Sequence, residues 1–272
     1  MSPTSVATRS RLQDKTAVVF GAGGEVGTAA ASAFAHQGAR VFLSGRTVAH
    51  VKAVANAIPD SGAVAGVAEL DALDEDAVRA YLDDVVAEDG RIDIVFNAMG
   101  PQAAEYGNAT STMELPVEKF LLPMSTMVAS NFITARAAAH HLLRLGAGVI
   151  VFLSGTPSQG TANTTAIGAA FGALESLTRS LAVDLSPHGV RVVCVRTMGM
   201  AETRVMHQTY ELGGQAMGAP KEKIEEIVTS RALLGRPPSL LDTAGLITFL
   251  ASDEANTITG AIINSSCGQV LD

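Results

Sequence analysis

The sequence predicts an α/β chain: a doubly wound, seven-stranded parallel sheet with helices on both faces. Three observations carry that prediction. Short apolar runs alternate with helix-like stretches along the whole chain. The runs are continuous rather than alternating in polarity, as in Val149-Ile150-Val151-Phe152-Leu153 and Val190-Arg191-Val192-Val193-Cys194-Val195, which is how strands buried on both faces read. Finally, Lys15-Thr16-Ala17-Val18-Val19-Phe20 enters a glycine-rich turn, Gly21-Ala22-Gly23-Gly24-Glu25-Val26-Gly27, that opens an alanine-rich helix.

Taken in order, strands are expected at 15–20, 40–44, 63–68, 92–97, 148–154, 190–197 and 260–264. Helices are expected at 25–37, 48–57, 75–88, 117–145, 164–185 and 240–252. Asp74-Glu75-Asp76 places acids in the first turn of one helix and Ser239 caps another. Two segments break the rhythm: the polar loop Pro101 to Pro116, and an excursion from Gly199 to Pro238 with one short helix from Pro220 to Leu233. Both follow carboxyl ends of strands, where open α/β sheets bind ligands. Residues 1–12 read as a tail, 13–272 as one domain, and 199–238 as its substrate lid.

Composition narrows the partners. A net charge of −8 and a pI near 5.2 argue against nucleic acid and anionic membranes. No apolar run reaches the roughly 18 residues of a membrane span, and the polar N-terminus lacks a signal core, so a cytoplasmic protein is expected. Cys194 and Cys267 offer neither zinc spacing nor a disulfide framework, and no metal site is expected.

The glycine turn predicts a phosphate cradle. Small residues let backbone N–H groups approach a diphosphate, and the helix N-terminus adds partial positive charge. At the end of the second strand, where a carboxylate would hold a ribose 2′-hydroxyl, the chain has Ser44-Gly45-Arg46-Thr47. Arg46, with the Ser44 and Thr47 hydroxyls, suits a 2′-phosphate, so NADP(H) is favoured over NAD(H). Glu25 counts against any dinucleotide unless it caps the helix or faces the lid.

The spacing Gly21-x-x-x-Glu25-x-Gly27 resembles the T-G-x-x-x-G-x-G turn of the short-chain dehydrogenase/reductase family, and the resemblance extends along nearly the whole chain. Gly38-Ala39-Arg40-Val41, Asp93 to Gly100, Leu177 to Leu185 with Gly189-Val190-Arg191-Val192, and Ile258-Thr259-Gly260 all have counterparts there. It implies a three-layer Rossmann fold and cofactor-binding positions at Gly21, Gly23, Gly24, Glu25, Val26, Gly27, Ser44, Arg46, Thr47, Asp71, Asn97, Gly100 and Thr203. It also implies a homodimer or homotetramer assembled through helices 117–145 and 164–185.

The same resemblance places the family's catalytic asparagine at Asn131 and its serine at Ser154. Its Tyr-x-x-x-Lys pair falls on Ile167 and Phe171, neither of which can donate a proton. The tyrosines that remain, Tyr81, Tyr106 and Tyr210, are followed four residues later by Val85, Thr110 and Gly214, so no relocated pair exists. Tyr106, His207 and Tyr210 are the side chains that could replace the acid, and Met99, Met198, Met200, Met206 and Met217 suggest a soft apolar pocket. The leading reading is hydride transfer, with NADP(H), to or from a small apolar substrate, a C=C or imine rather than a simple ketone. The alternative is a dinucleotide-binding protein without redox turnover: a sensor, a scaffold, or a non-redox isomerase or cyclase.

Overall fold

The computed structural model describes residues 10–59 and 63–272; residues 1–9 of the expected tail lie outside them. Seven parallel strands stand in the order β3-β2-β1-β4-β5-β6-β7. They are β1 (Thr16–Phe20), β2 (Arg40–Gly45), β3 (Val64–Glu69), β4 (Ile94–Asn97), β5 (Gly148–Gly155), β6 (Val190–Thr197) and β7 (Ile262–Ser265). The strand order reverses between β1 and β4. Ser44, Phe20 and Asn97 lie side by side there, at the carboxyl ends of β2, β1 and β4, beside the crevice where such sheets take ligands.

Helix α1 (Glu25–His36) packs with α9 (Leu240–Ala251) on one face of the sheet, through Ala30, Phe34, Ile247 and Leu250. On the other face lie α3 (Glu75–Asp89), α5 (Ala129–Leu145) and α6 (Thr165–Leu185), packed through Leu82, Leu142 and Ala182. Helix α2 (Val48–Ala57) covers the β2–β3 edge through Val51 and Val54.

Local chemistry sets the boundaries. Asp74 accepts hydrogen bonds from the backbone N–H groups of Asp76 and Ala77, and Gly90 ends α3 in the left-handed region at φ 79°. Ser239 and Asp242 form a reciprocal capping box at the start of α9.

Two expectations need correction. The helix foreseen over 117–145 is α4 (Val117–Pro123), a π-helical turn (Met124–Val128) and then α5. Pro123, which has no N–H to donate, ends the regular α-helical ladder just before that turn. The lid has two helices rather than one: α7 (Arg204–Met217) and α8 (Lys221–Thr229). Gly213 and Gly214 lower the helical propensity of α7 and hide it from the sequence. Packing overrides them, because a Cβ at Gly214 would lie 2.6 Å from the Ala219 carbonyl and one at Gly213 3.0 Å from Ile224.

Candidate active site

The cradle is built from the β1–α1 turn. Gly21 sits at φ 76°, and a Cβ there would meet the Ala98 carbonyl at 2.7 Å. A Cβ at Gly27 would lie 2.4 Å from the Gly21 carbonyl, so the helix can start this close to the turn only with glycine. A Cβ at Gly23 would lie 3.0 Å from the His50 Cβ, whereas one at Gly24, the N-cap of α1, would meet only ordinary contacts. Val26 packs against the α1–α9 core. Gly24 at the N-cap has no side chain to cap α1, so the turn leaves N–H groups beyond that of Glu25 for a ligand anion.

Around this turn the polar positions differ in how far they are engaged. Arg46 and Thr47 are exposed where β2 ends and α2 begins. Ser44 is buried, its carbonyl accepting from the Ala22 N–H at 3.0 Å. Exposed Asp71 accepts the Leu73 N–H at 3.0 Å through one carboxylate oxygen. Asn97 is buried and accepts from the Thr134 hydroxyl at 3.1 Å, while its side-chain amide nitrogen has no partner. Gly100 is exposed, with Met127 Sδ 3.4 Å from its virtual Cβ. Buried Thr203 donates its hydroxyl to the Met200 carbonyl at 2.8 Å. A glycine cradle, α1 N–H groups without a side-chain cap and an exposed arginine at the end of β2 together fit a nicotinamide dinucleotide.

Glu25 faces the lid. It accepts a hydrogen bond from Arg204 Nε, at the first residue of α7, at 2.7 Å. Partial burial alone would raise its carboxyl, but its own backbone N–H and Arg204 outweigh that and hold it below the usual carboxylate range.

The chemical end of the cleft is organised around a residue the sequence did not single out. Glu175 lies four and eight positions beyond Phe171 and Ile167 on α6, hence on one side of that helix with them. Its Oε1 accepts from the Ser154 hydroxyl at 3.0 Å, the Ser158 hydroxyl at 2.7 Å and Arg196 Nε at 2.8 Å. Its Oε2 accepts from the Arg196 terminal nitrogen at 2.7 Å, and Arg196 also pairs with Asp272. Burial pushes the Glu175 carboxyl up, but these donors together bring it below its ordinary value, so it stays charged. The signal available in the sequence was an acid on the same helix side as Ile167 and Phe171, and an arginine near the end of an apolar strand; neither buries without a partner.

Ile167 is buried in an apolar cluster with Ala103, Tyr106, Met127, Ala166, Ala170 and Leu174, onto which Phe171 and the lid residues Val205 and Leu212 pack. The Phe171 ring occupies the space beside Gly155, where a Cβ would approach it to 2.7 Å. Asn131 is buried just beyond the π-helical turn; its amide nitrogen donates to the Met127 carbonyl at 2.8 Å and its amide oxygen has no partner.

Of the three side chains considered as replacement acids, Tyr106 alone belongs to the cluster around Ile167, and burial raises its phenol. Tyr210 is buried in α7; burial and then the Glu225 charge push its phenol up to about 12. His207 is exposed on α7. Among the described residues no group of three or more His, Cys, Asp or Glu could hold a metal, and no helix is long and apolar enough to cross a membrane.

A family model described as enoyl-(acyl carrier protein) reductase matches residues 21–269. The chain belongs to the short-chain dehydrogenase/reductase family. It is 31% identical over 261 residues to an uncharacterised oxidoreductase of Thermotoga maritima, covering 94% of this chain and 98% of that one. It is 30% identical over 254 residues to the cis-4-hydroxycyclohexanecarboxylate dehydrogenase of Sinomonas cyclohexanicum, covering 92% and 94%. Among solved structures, an NAD+-bound xylitol dehydrogenase superposes with a TM-score of 0.87 at 24% identity, covering 93% of this chain and 98% of that one, a likeness of fold. The short-chain dehydrogenase/reductase family is one of oxidoreductases that use a nicotinamide dinucleotide.

Proposed function

We propose that this short-chain dehydrogenase/reductase uses NADP(H) to reduce, or reversibly oxidise, a small apolar substrate at a C=N or conjugated C=C bond. The observation that carries this reading is the commitment of the Ser154 and Ser158 protons to Glu175. A ketone oxygen gains negative charge as hydride arrives and needs a donor, and one well-placed acid is worth roughly 10²–10⁴-fold. Ile167 and Phe171 supply none, and the two serine hydroxyls already spend their single protons. An iminium carbon accepts hydride without that help, and an enolate left by a conjugated alkene can be protonated by water.

In this reading the dinucleotide supplies the hydride, while the chain's own groups bind and orient. Gly21 and Gly27 shape the cradle, Arg46 with Thr47 takes the 2′-phosphate, Asp71 the adenine edge, and Thr203 the carboxamide. Tyr106, Met127, Ile167, Phe171, Val205 and Leu212 give the substrate an apolar wall. Curated relatives named as dehydrogenases of cis-4-hydroxycyclohexanecarboxylate and meso-2,3-butanediol support a small substrate. The same reading takes 13–272 as one cytoplasmic domain, 199–238 as its lid, and α4–α5 with α6 as the surfaces of a dimer or tetramer.

The test is anaerobic mixing with NADPH while the nicotinamide absorbance is followed. A cyclic imine or a conjugated enone should oxidise it, and the saturated ketone of the same skeleton should react at least about a hundredfold more slowly. Comparable turnover of the ketone would overturn the reading. Tight binding of NADPH with no oxidation by any of the three would favour a binding protein without redox turnover.

A further inference from the structure

The family's glycine turn has glycine where this chain has Glu25, and that residue is paired across the cleft with the lid. Glu25 is the first residue of α1 and Arg204 the first of α7, so one ion pair joins the phosphate cradle to the start of the lid. The two ends of the pair are not equivalent. An acid in a first helical turn is favoured by the helix dipole, whereas a cation there is disfavoured. Arg204 thus takes a position its own helix opposes, and the Glu25 carboxylate at 2.7 Å offsets that cost. The carboxylate also meets its own backbone N–H at the start of α1, the region that attracts a diphosphate.

We propose that Glu25 is a built-in competitor of the cofactor's diphosphate and that Arg204 is the cationic ligand for which the two compete. The inference rests on the reading that this chain binds a nicotinamide dinucleotide. Without cofactor, Arg204 is neutralised by Glu25. With cofactor, the guanidinium turns from the carboxylate to a diphosphate oxygen, and Glu25 swings toward solvent. Side-chain exposures of 63% for Arg204 and 33% for Glu25 leave room for that exchange. Because the diphosphate is common to both dinucleotides, the pair sets affinity for NADP(H) and NAD(H) alike, whereas Arg46 would discriminate between them.

The competing account is a latch, in which the ion pair merely holds the lid closed over the cofactor. The two accounts predict opposite signs for one substitution. The dissociation constants of NADPH and NADH are measured by titration calorimetry for the full-length protein, Glu25→Gln, Arg204→Gln and the double variant. Competition predicts that Glu25→Gln tightens both cofactors by about 3- to 10-fold, through loss of a like charge and release of Arg204. Arg204→Gln should weaken both by a similar factor, and the double variant should fall between the two. Binding by Glu25→Gln should also weaken more steeply with salt, because an unpaired cation then meets the phosphate.

Melting temperatures without cofactor verify that each variant is folded; both side chains are exposed enough for the substitutions to be tolerated. If Glu25→Gln weakens binding, or leaves it unchanged, the competitor role is overturned while the dinucleotide reading survives. If neither the parent protein nor Glu25→Gln binds either cofactor, both fall together.

Discussion

Two Glu–Arg pairs lie near the carboxyl ends of the strands, and their surroundings give them different work. Glu175 and Arg196 have side chains 5% and 4% exposed, and every carboxylate oxygen meets at least one donor. Glu25 and Arg204 are 33% and 63% exposed, and the guanidinium reaches the carboxylate through Nε at 2.7 Å. A buried pair fully supplied with partners cannot rearrange without stranding a charge, so it fixes the neighbouring hydroxyls in one orientation. An exposed pair costs little to open and can exchange partners with a ligand. In the proposed reading, the chemical end of the site is thus locked and the phosphate end remains adjustable.

The strongest test of that contrast is to remove one member of the buried pair. Glu175→Ala leaves Arg196 with only Asp272 and frees two serine hydroxyls, and it should cost about 3–5 kcal/mol in denaturant unfolding. Replacing both partners by apolar residues, Glu175→Leu with Arg196→Met, should return stability to the parent value or above it. A double variant as unstable as Glu175→Ala would mean that the serine hydrogen bonds, rather than the unpaired charge, dominate. The same pair should govern the acid limb. Glu175 has a lower pKa folded than unfolded, so its contribution is present above about pH 4.3 and is lost as pH falls through the folded value. The apolar double variant should lose less stability over that range.

Arg46 sharpens the contrast from the other side: an exposed arginine that, among the described residues, no ion pair holds in place. Its predicted work appears only with ligand. Arg46→Ala should weaken NADPH binding by about 1.5–3 kcal/mol, the worth of hydrogen bonds to a charged group, and leave NADH nearly unchanged. Equal losses for the two cofactors would assign Arg46 to the adenosine rather than to a 2′-phosphate.

What the sequence made legible follows the same division between local and long-range causes. The strands, the glycine turn and the cap at Ser239 are set by neighbours within a few positions, and the structure places them within a residue or two of where they were expected; Asp74, expected among the first-turn acids, is the N-cap of α3. Glu175 and Arg196 are 21 positions apart and meet only because α6 lies across β6, so neither announced itself. Ser154 could be identified as a candidate, but not the commitment of its proton, which depends on that meeting. Helix α7 was hidden for a related reason: its two glycines weaken the local signal, and contacts with Ala219 and Ile224 restore the helix. Glu25 was legible as a departure, while its partner 179 positions away was not.

The smallest expected effect is the one most able to break the contrast. Arg204→Gln without cofactor removes an exposed ion pair, worth about 0.2–1 kcal/mol, and also removes a cation from a helix N-terminus, which returns part of that loss. The two nearly cancel, so unfolding in dilute buffer should change by less than about 1 kcal/mol, and by less still in high salt, which screens both terms. If Arg204→Gln instead destabilises the cofactor-free protein as much as Glu175→Ala does, Glu25 and Arg204 are a structural clamp like the buried pair. The phosphate end of the cleft would then be as rigid as the chemical end, and a diphosphate would have to bind without displacing either residue.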